Sequence, residues 1–210
     1  MQFEYYNKIN QLKKSQVYFN VLEKNSQKWL LQSNNCLAFK FLLSKIDILS
    51  LSERKNDIID DTEEMYIDPN DLYTIVIYKF YKGISYYFQG KTKMSISILN
   101  DLLNEVSFKN YFYIETEIKL LLAYLYIQQK EFDIAENLLK SLTRKLTGLK
   151  TDSFKNVKEA VKIFTLLMNG VENASTKSKI KKTIEQFNFY NFNEKKILNY
   201  LKPEFDRLAS

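Results

Sequence analysis

Ala-Tyr-Leu-Tyr-Ile-Gln-Gln-Lys-Glu-Phe-Asp-Ile-Ala-Glu-Asn-Leu-Leu, residues 123–139, is the stretch that decides how this chain folds. Its apolar residues recur at three- and four-residue steps on both sides of a short polar break, as two helices meeting at a turn require. Ala123, Tyr126, Lys130, Ala135, Leu139 and Leu142 mark the pattern. Forty residues upstream, Gly83, Tyr86, Gly90, Ser95, Leu99 and Leu102 reproduce the same steps of three, four, five, four and three. A weaker third copy reads Ser26, Trp29, Ser33, Ala38, Leu42 and Lys45. Self-similarity at a fixed period marks stacked helical or strand units, and here the spacing within each copy is helical.

The residue types have a packing reason. Small residues at Gly83 and Ala123, faced by Ser95 and Ala135, let two helices approach closely. The rings of Tyr86 and Tyr126, three residues on, fill the space beside that crossing. Leu99 and Leu102, like Leu139 and Leu142, continue the apolar stripe of the second helix.

Outward from this pair, the periodicity predicts about nine helices. The first covers Phe3 to Gln32 with a break near Asn25, and the second Asn35 to Leu51. An acidic linker, residues 52–70, ends in a loop and helix-start signal, Asp68-Pro69-Asn70-Asp71. Two pairs follow: Leu72 to Gln89 with Thr92 to Val106, and Tyr111 to Gln129 with Glu131 to Leu146, closed by Gly148. The tail holds Phe154 to Met168, capped by Ser153, then Ser175 to Phe187, and Asn193 to Leu201, stopped by Pro203. Only four Gly and two Pro occur in 210 residues, too few to turn the strands of a sandwich or barrel.

Composition removes several chemistries. The chain has no histidine, so it has no histidine base, triad or ligand of its own. The single cysteine, Cys36, excludes an internal disulfide and a multi-cysteine metal site, and its apolar neighbours Leu37, Phe39 and Leu42 predict a shielded thiol. The glycines are too scattered for a phosphate loop. Asp60, Asp61, Glu63 and Glu64 lack the spacing of a calcium loop. Glu115 and Glu117 do not share a helical face and make poor acid–base partners. The expectation is a protein without cofactor, metal or catalytic site. The start Met-Gln-Phe-Glu-Tyr-Tyr is unlike a signal peptide, and the longest apolar stretch, Leu120 to Ile127, is far short of a membrane span. No membrane insertion and a cytoplasmic location are the corresponding expectations.

Charge is uneven. Residues 141–210 hold 14 Lys and Arg against 7 Asp and Glu, whereas residues 1–140 hold 17 against 18. Lys177, Lys179, Lys181 and Lys182 form the densest basic run, followed by Phe187, Phe189, Tyr190 and Phe192. Basic and aromatic residues together bind single-stranded nucleic acid; a solvated lysine face over an aromatic core stripe has the same sequence.

The small–aromatic–small–apolar pattern resembles the tetratricopeptide repeat, clearly over Leu72 to Leu146 and more weakly over Asn20 to Leu51, although the forty-residue spacing departs from that family's usual period of about 34. The resemblance implies an all-α fold: a right-handed superhelical array of antiparallel helix hairpins, an α-solenoid running the length of the chain. Residues 1–51 would be degenerate N-terminal helices, 71–147 the two clearest repeats and 153–210 basic C-terminal capping helices.

It also implies a non-enzymatic scaffold that holds a peptide or amphipathic helix of a partner protein within a larger complex. The family's inward positions fall on Ile77, Phe80, Ile84 and Tyr87 in one helix and on Glu117, Leu120, Tyr124, Ile127 and Gln128 in the next. Those positions lack the Lys and Asn of members that clamp a terminal carboxylate, so an apolar partner is expected, with Tyr124 as an exposed anchor and Tyr126 holding the fold; the equal alternative is that the same inward residues pack against neighbouring helices of the chain itself. The alternative is a regulatory protein that contacts nucleic acid through its basic tail, although no helix-turn-helix is recognisable in Phe3 to Gln32.

Overall fold

The structure is a computed structural model that describes residues 2, 5–6, 11–30, 45, 71–109, 112–147, 154–170, 174–187 and 198–209. Among these the protein is all-helical. The α-helices are α1 (Leu12–Leu30), α2 (Leu72–Phe88), α3 (Thr92–Glu105), α4 (Phe112–Gln128), α5 (Phe132–Thr147), α6 (Lys155–Met168), α7 (Ala174–Gln186) and α8 (Lys202–Ala209), with a short 3-10 turn at Asn199–Leu201 before the last. The chain divides into two compact units, Met1–Val106 and Ser107–Ser210.

In the first unit, α1 runs unbroken through Asn25, and the non-helical residue is Gln11 instead. Its Ser15 and Phe19 are buried, while Val17 and Val21 are exposed. Asp71 opens α2 as expected, its side chain accepting the Tyr73 N–H at 3.0 Å. Helices α2 and α3 pack together. At their crossing the Ser95 hydroxyl donates to the Gly83 carbonyl at 2.7 Å. A Cβ on Gly83 would lie 2.6 Å from a Leu99 methyl, so the approach is one that only glycine permits as the helices stand. Farther along, Lys79 forms an ion pair with Glu105.

In the second unit, α4 packs on α5 and on α6, and α6 also packs on α5 and α7. Helix α4 is covered on two sides, so every residue from Leu120 to Ile127 is buried. Helix α5 meets α4 and α6 through a single buried stripe, Ala135, Leu139, Leu142 and Leu146. A run of rings carries the core toward the C-terminus: Tyr124 lies 5.7 Å from Phe164, Phe164 lies 6.1 Å from Phe205, and Phe205 lies 5.2 Å from Phe187.

The forty-residue repeat reappears in the backbone of the two turns. After α2, Gly90 N–H donates to the Tyr87 carbonyl and Lys91 N–H to the Tyr86 carbonyl. After α4, Lys130 N–H donates to the Ile127 carbonyl and Glu131 N–H to the Tyr126 carbonyl. Both pairs form the Schellman closure, whose first residue past the helix is left-handed; Gly90 has φ 69° and Lys130 has φ 62°.

Two boundary expectations are corrected. Helix α6 starts at Lys155, and its flanking residue Phe154 makes no side-chain cap; the ring packs on Phe112 and Tyr113 at 5.2 and 5.3 Å. Pro203 does not stop a helix. It occupies the first turn of α8, where a missing N–H costs nothing because that donor has no helical partner. The sequence readings at Cys36, the 52–70 linker, Gly148, Ser153, Ser33, Ala38, Leu42 and residues 193–197 lie outside the described residues.

Candidate functional site

The inward positions named from the repeat pattern are, for the most part, core. In α2, Ile77, Phe80 and Ile84 are buried, and Tyr87 is half-buried with its ring 5.2 Å from Phe88. In α4, Leu120 and Ile127 are buried, Glu117 is half-buried and Gln128 is exposed. Tyr124 retains only 3% of its exposure. The expectation of an exposed aromatic anchor is therefore overturned at this residue: the α6 ring of Phe164 lies against it. Glu117 is engaged as well, its carboxylate accepting the Leu198 N–H at 2.6 Å. The physical reason is the abundance of apolar rings in the C-terminal residues, which bury more surface by closing on α4 than by remaining in water. Tyr126 is buried, as expected.

Glu115 and Glu117 indeed have separate roles. Glu115 sits at the α4–α5 contact with its side chain 8% exposed. Lys145 from α5 donates to both its oxygens at 2.6 and 2.7 Å, and Lys119 approaches one of them at 2.8 Å. Lys119 also donates to the Ser141 hydroxyl at 3.1 Å. Burial pushes the Glu115 carboxyl up, but the hydrogen bonds and charges of Lys119 and Lys145 outweigh it and hold the carboxyl below its ordinary value of 4.5. An anion saturated by two cations from its own fold is a structural clamp.

The side chains left at the surface lie elsewhere. Phe132 and Ile134 in the first turn of α5 are each 42% exposed, and Met94 in α3 is 47% exposed. Met94 and Ile134 are forty residues apart, so the repeat places an apolar residue outward at the same point of each second helix. The pattern itself held this signal, one residue before the small positions Ser95 and Ala135. Lys177, Lys179, Lys181 and Lys182 are all exposed on α7, whereas Phe187, the described member of the adjoining aromatic set, is buried against Phe205. Phe189, Tyr190 and Phe192 lie outside the described residues.

Among the described residues no group of three or more His, Cys, Asp or Glu could hold a metal ion, and no helix is long and apolar enough to cross a membrane. Comparison with protein-family models, with curated proteins and with solved structures finds no match.

Proposed function

We propose that the protein is a non-enzymatic interaction module, built on two antiparallel helix hairpins of tetratricopeptide-like character, that binds a peptide or amphipathic helix of a partner protein. The hairpin reading is supported by contacts that step in opposite directions: Glu115 meets Lys145, and Lys119 meets Ser141. The non-enzymatic reading rests on the absence of histidine and of any glycine-rich loop. The partner surface of this proposal is the exposed start of α5 and not the side of α4 that carries Tyr124, which the chain's own helix α6 covers.

The observation that carries the reading is the exposure of Phe132 and Ile134 at the start of α5. Large apolar side chains at the centre of a partner contact supply most of its energy, and charged residues such as Asp133 and Glu136 suit its rim. The test is site-specific photo-crosslinking in native extract, with a photoreactive phenylalanine at position 132 or 134 of the full chain. One discrete product is expected from both positions, suppressed by Ile134→Asp when the probe stands at 132. Equal labelling from the polar position Glu136, or no discrete product, counts against this surface.

A further inference from the structure

The second unit carries a surface that this partner contact does not use. On α6, Lys155, Lys158 and Lys162 lie on one side, and the buried residues Asn156, Val157, Ala160, Ile163 and Phe164 lie on the other. Seven residues of helix separate the outer two lysines by about 10 Å. On α7, the buried residues Ile180, Thr183 and Ile184 occupy one stripe. Lys177, Lys179, Lys181 and Lys182 are spread around the rest of the circumference. The two helices pack on each other. Together they hold seven lysines against two carboxylates, Glu159 and Glu185.

These lysines differ from five other cations in the same unit, although Lys109, Lys130 and Arg144 are likewise exposed without an ion pair among the described residues. Lys119, Lys140, Lys145, Lys202 and Arg207 each have a carboxylate partner within 3 Å. On α6 and α7 only Lys162 has one, Glu159 at 3.7 Å. The other six make no ion pair among the described residues. No carboxylate among the described residues offsets their mutual repulsion by an ion pair, and an external polyanion relieves it.

The class of polyanion follows from what is missing. The exposed residues of these two helices are Lys, Thr, Ser, Gln, Glu and one Ala; no large apolar side chain stands among them. A protein partner needs an apolar centre, and lasting membrane attachment needs an apolar anchor beside a basic patch. Neither requirement is met. Phe187 is in the core and is not available to stack on a base. Charge alone remains, and a nucleic acid offers it densely, with one phosphate per about 1.7 Å of duplex. We infer that the exposed lysines of α6 and α7 bind the phosphate backbone of nucleic acid without reading its sequence.

The full chain is titrated against a fluorescently labelled random-sequence DNA duplex of twenty base pairs, by anisotropy, across a salt series. Each phosphate contact contributes about −0.9 to the slope of log affinity against log salt. Replacing Lys177, Lys179, Lys181 and Lys182 together by Gln is expected to flatten the slope by about three and to weaken binding at least tenfold, to order of magnitude, at 0.1 M salt. A control that makes the same charge change outside α6 and α7, Lys13, Lys24, Lys93 and Lys109 to Gln, separates contact at these helices from the loss of net charge, and should leave affinity within about twofold. All eight substitutions are at exposed positions, and circular dichroism verifies folding. Absence of binding at 50 mM salt, a salt-independent affinity, or an equal loss in the control overturns the inference. So does competition by polyglutamate as effective as unlabelled duplex at equal charge, which assigns the face to an acidic protein.

Discussion

The two helix pairs, α2–α3 and α4–α5, share their spacing and their turns and differ in how they join. In α2–α3 the crossing pairs Gly83 with Ser95, and the hydroxyl bonds to the glycine carbonyl. In α4–α5 both matched residues are alanine, Ala123 and Ala135, and both are buried. The charges diverge further. Position 79 and its counterpart 119 are both lysine, but the partner Glu105 becomes Lys145 forty residues later. Two lysines then face the same region, and Glu115, standing where the first copy has Ile75, joins to both. The two pairs thus share their residue spacing and turn geometry while their electrostatics are solved separately. Gly83 sets a close approach to Leu99 in the first pair; the charges need only sum to a satisfied cluster.

The largest test addresses the inner face. Tyr124 and its counterpart Ile84 are both buried. Tyr124→Ala is expected to lower unfolding free energy by about 3–5 kcal/mol, the cost of emptying a core aromatic site, measured by urea denaturation. A wild-type midpoint would mean that α6 does not cover the ring and would reopen α4 as a partner groove. Next comes Gly83→Leu, expected to cost about 3 kcal/mol, because even a Cβ would press on Leu99 at 2.6 Å. An unchanged melt would show that the crossing in α2–α3 is looser than in α4–α5.

Glu115→Gln separates the electrostatics of the two pairs. Lys145 is 44% exposed and can turn to water, but Lys119 is 14% exposed and cannot do so fully. The loss is expected near 2 kcal/mol at neutral pH, below the full cost of breaking a buried pair. The carboxyl is held below 4.5 in the folded chain, so its contribution is present above that pH and disappears as pH falls through the folded value. The gap between wild type and Glu115→Gln should therefore narrow below pH 4.5. A gap independent of pH would assign the effect to packing. Glu105→Ala, by contrast, removes an exposed pair and should cost only about 0.5 kcal/mol.

The turns provide another small contrast. Nothing within 4 Å of Gly90 blocks a side chain, so the difference between Gly90 and Lys130 is conformational. Lys130→Gly should raise stability by about 0.5–1 kcal/mol, and Gly90→Ala should lower it by a similar amount, since a left-handed residue is strained unless it is glycine. Two changes of the same sign would mean that the turns are not equivalent.

Much of the local structure was legible in the residues. The helix pairs, the turn positions and the close crossings follow from apolar spacing, small residues at Gly83, Ser95, Ala123 and Ala135, and a cap at Asp71. All are short-range consequences of backbone geometry. The sequence could not say which apolar face stays uncovered. Tyr124 and Ile134 are equally apolar by period, yet one lies against Phe164 and the other faces water. That choice depends on where residues 155–209 return, and the return is decided by the rings of Phe164, Phe187 and Phe205 packing together. The same holds for Glu117, an inward groove position by the repeat pattern, which accepts the N–H of a residue 81 positions away. Periodicity specifies a helix and its apolar sides, because those depend on neighbours three and four residues apart. Which side remains free for a partner was decided only by tertiary structure, because burial depends on residues distant in the chain.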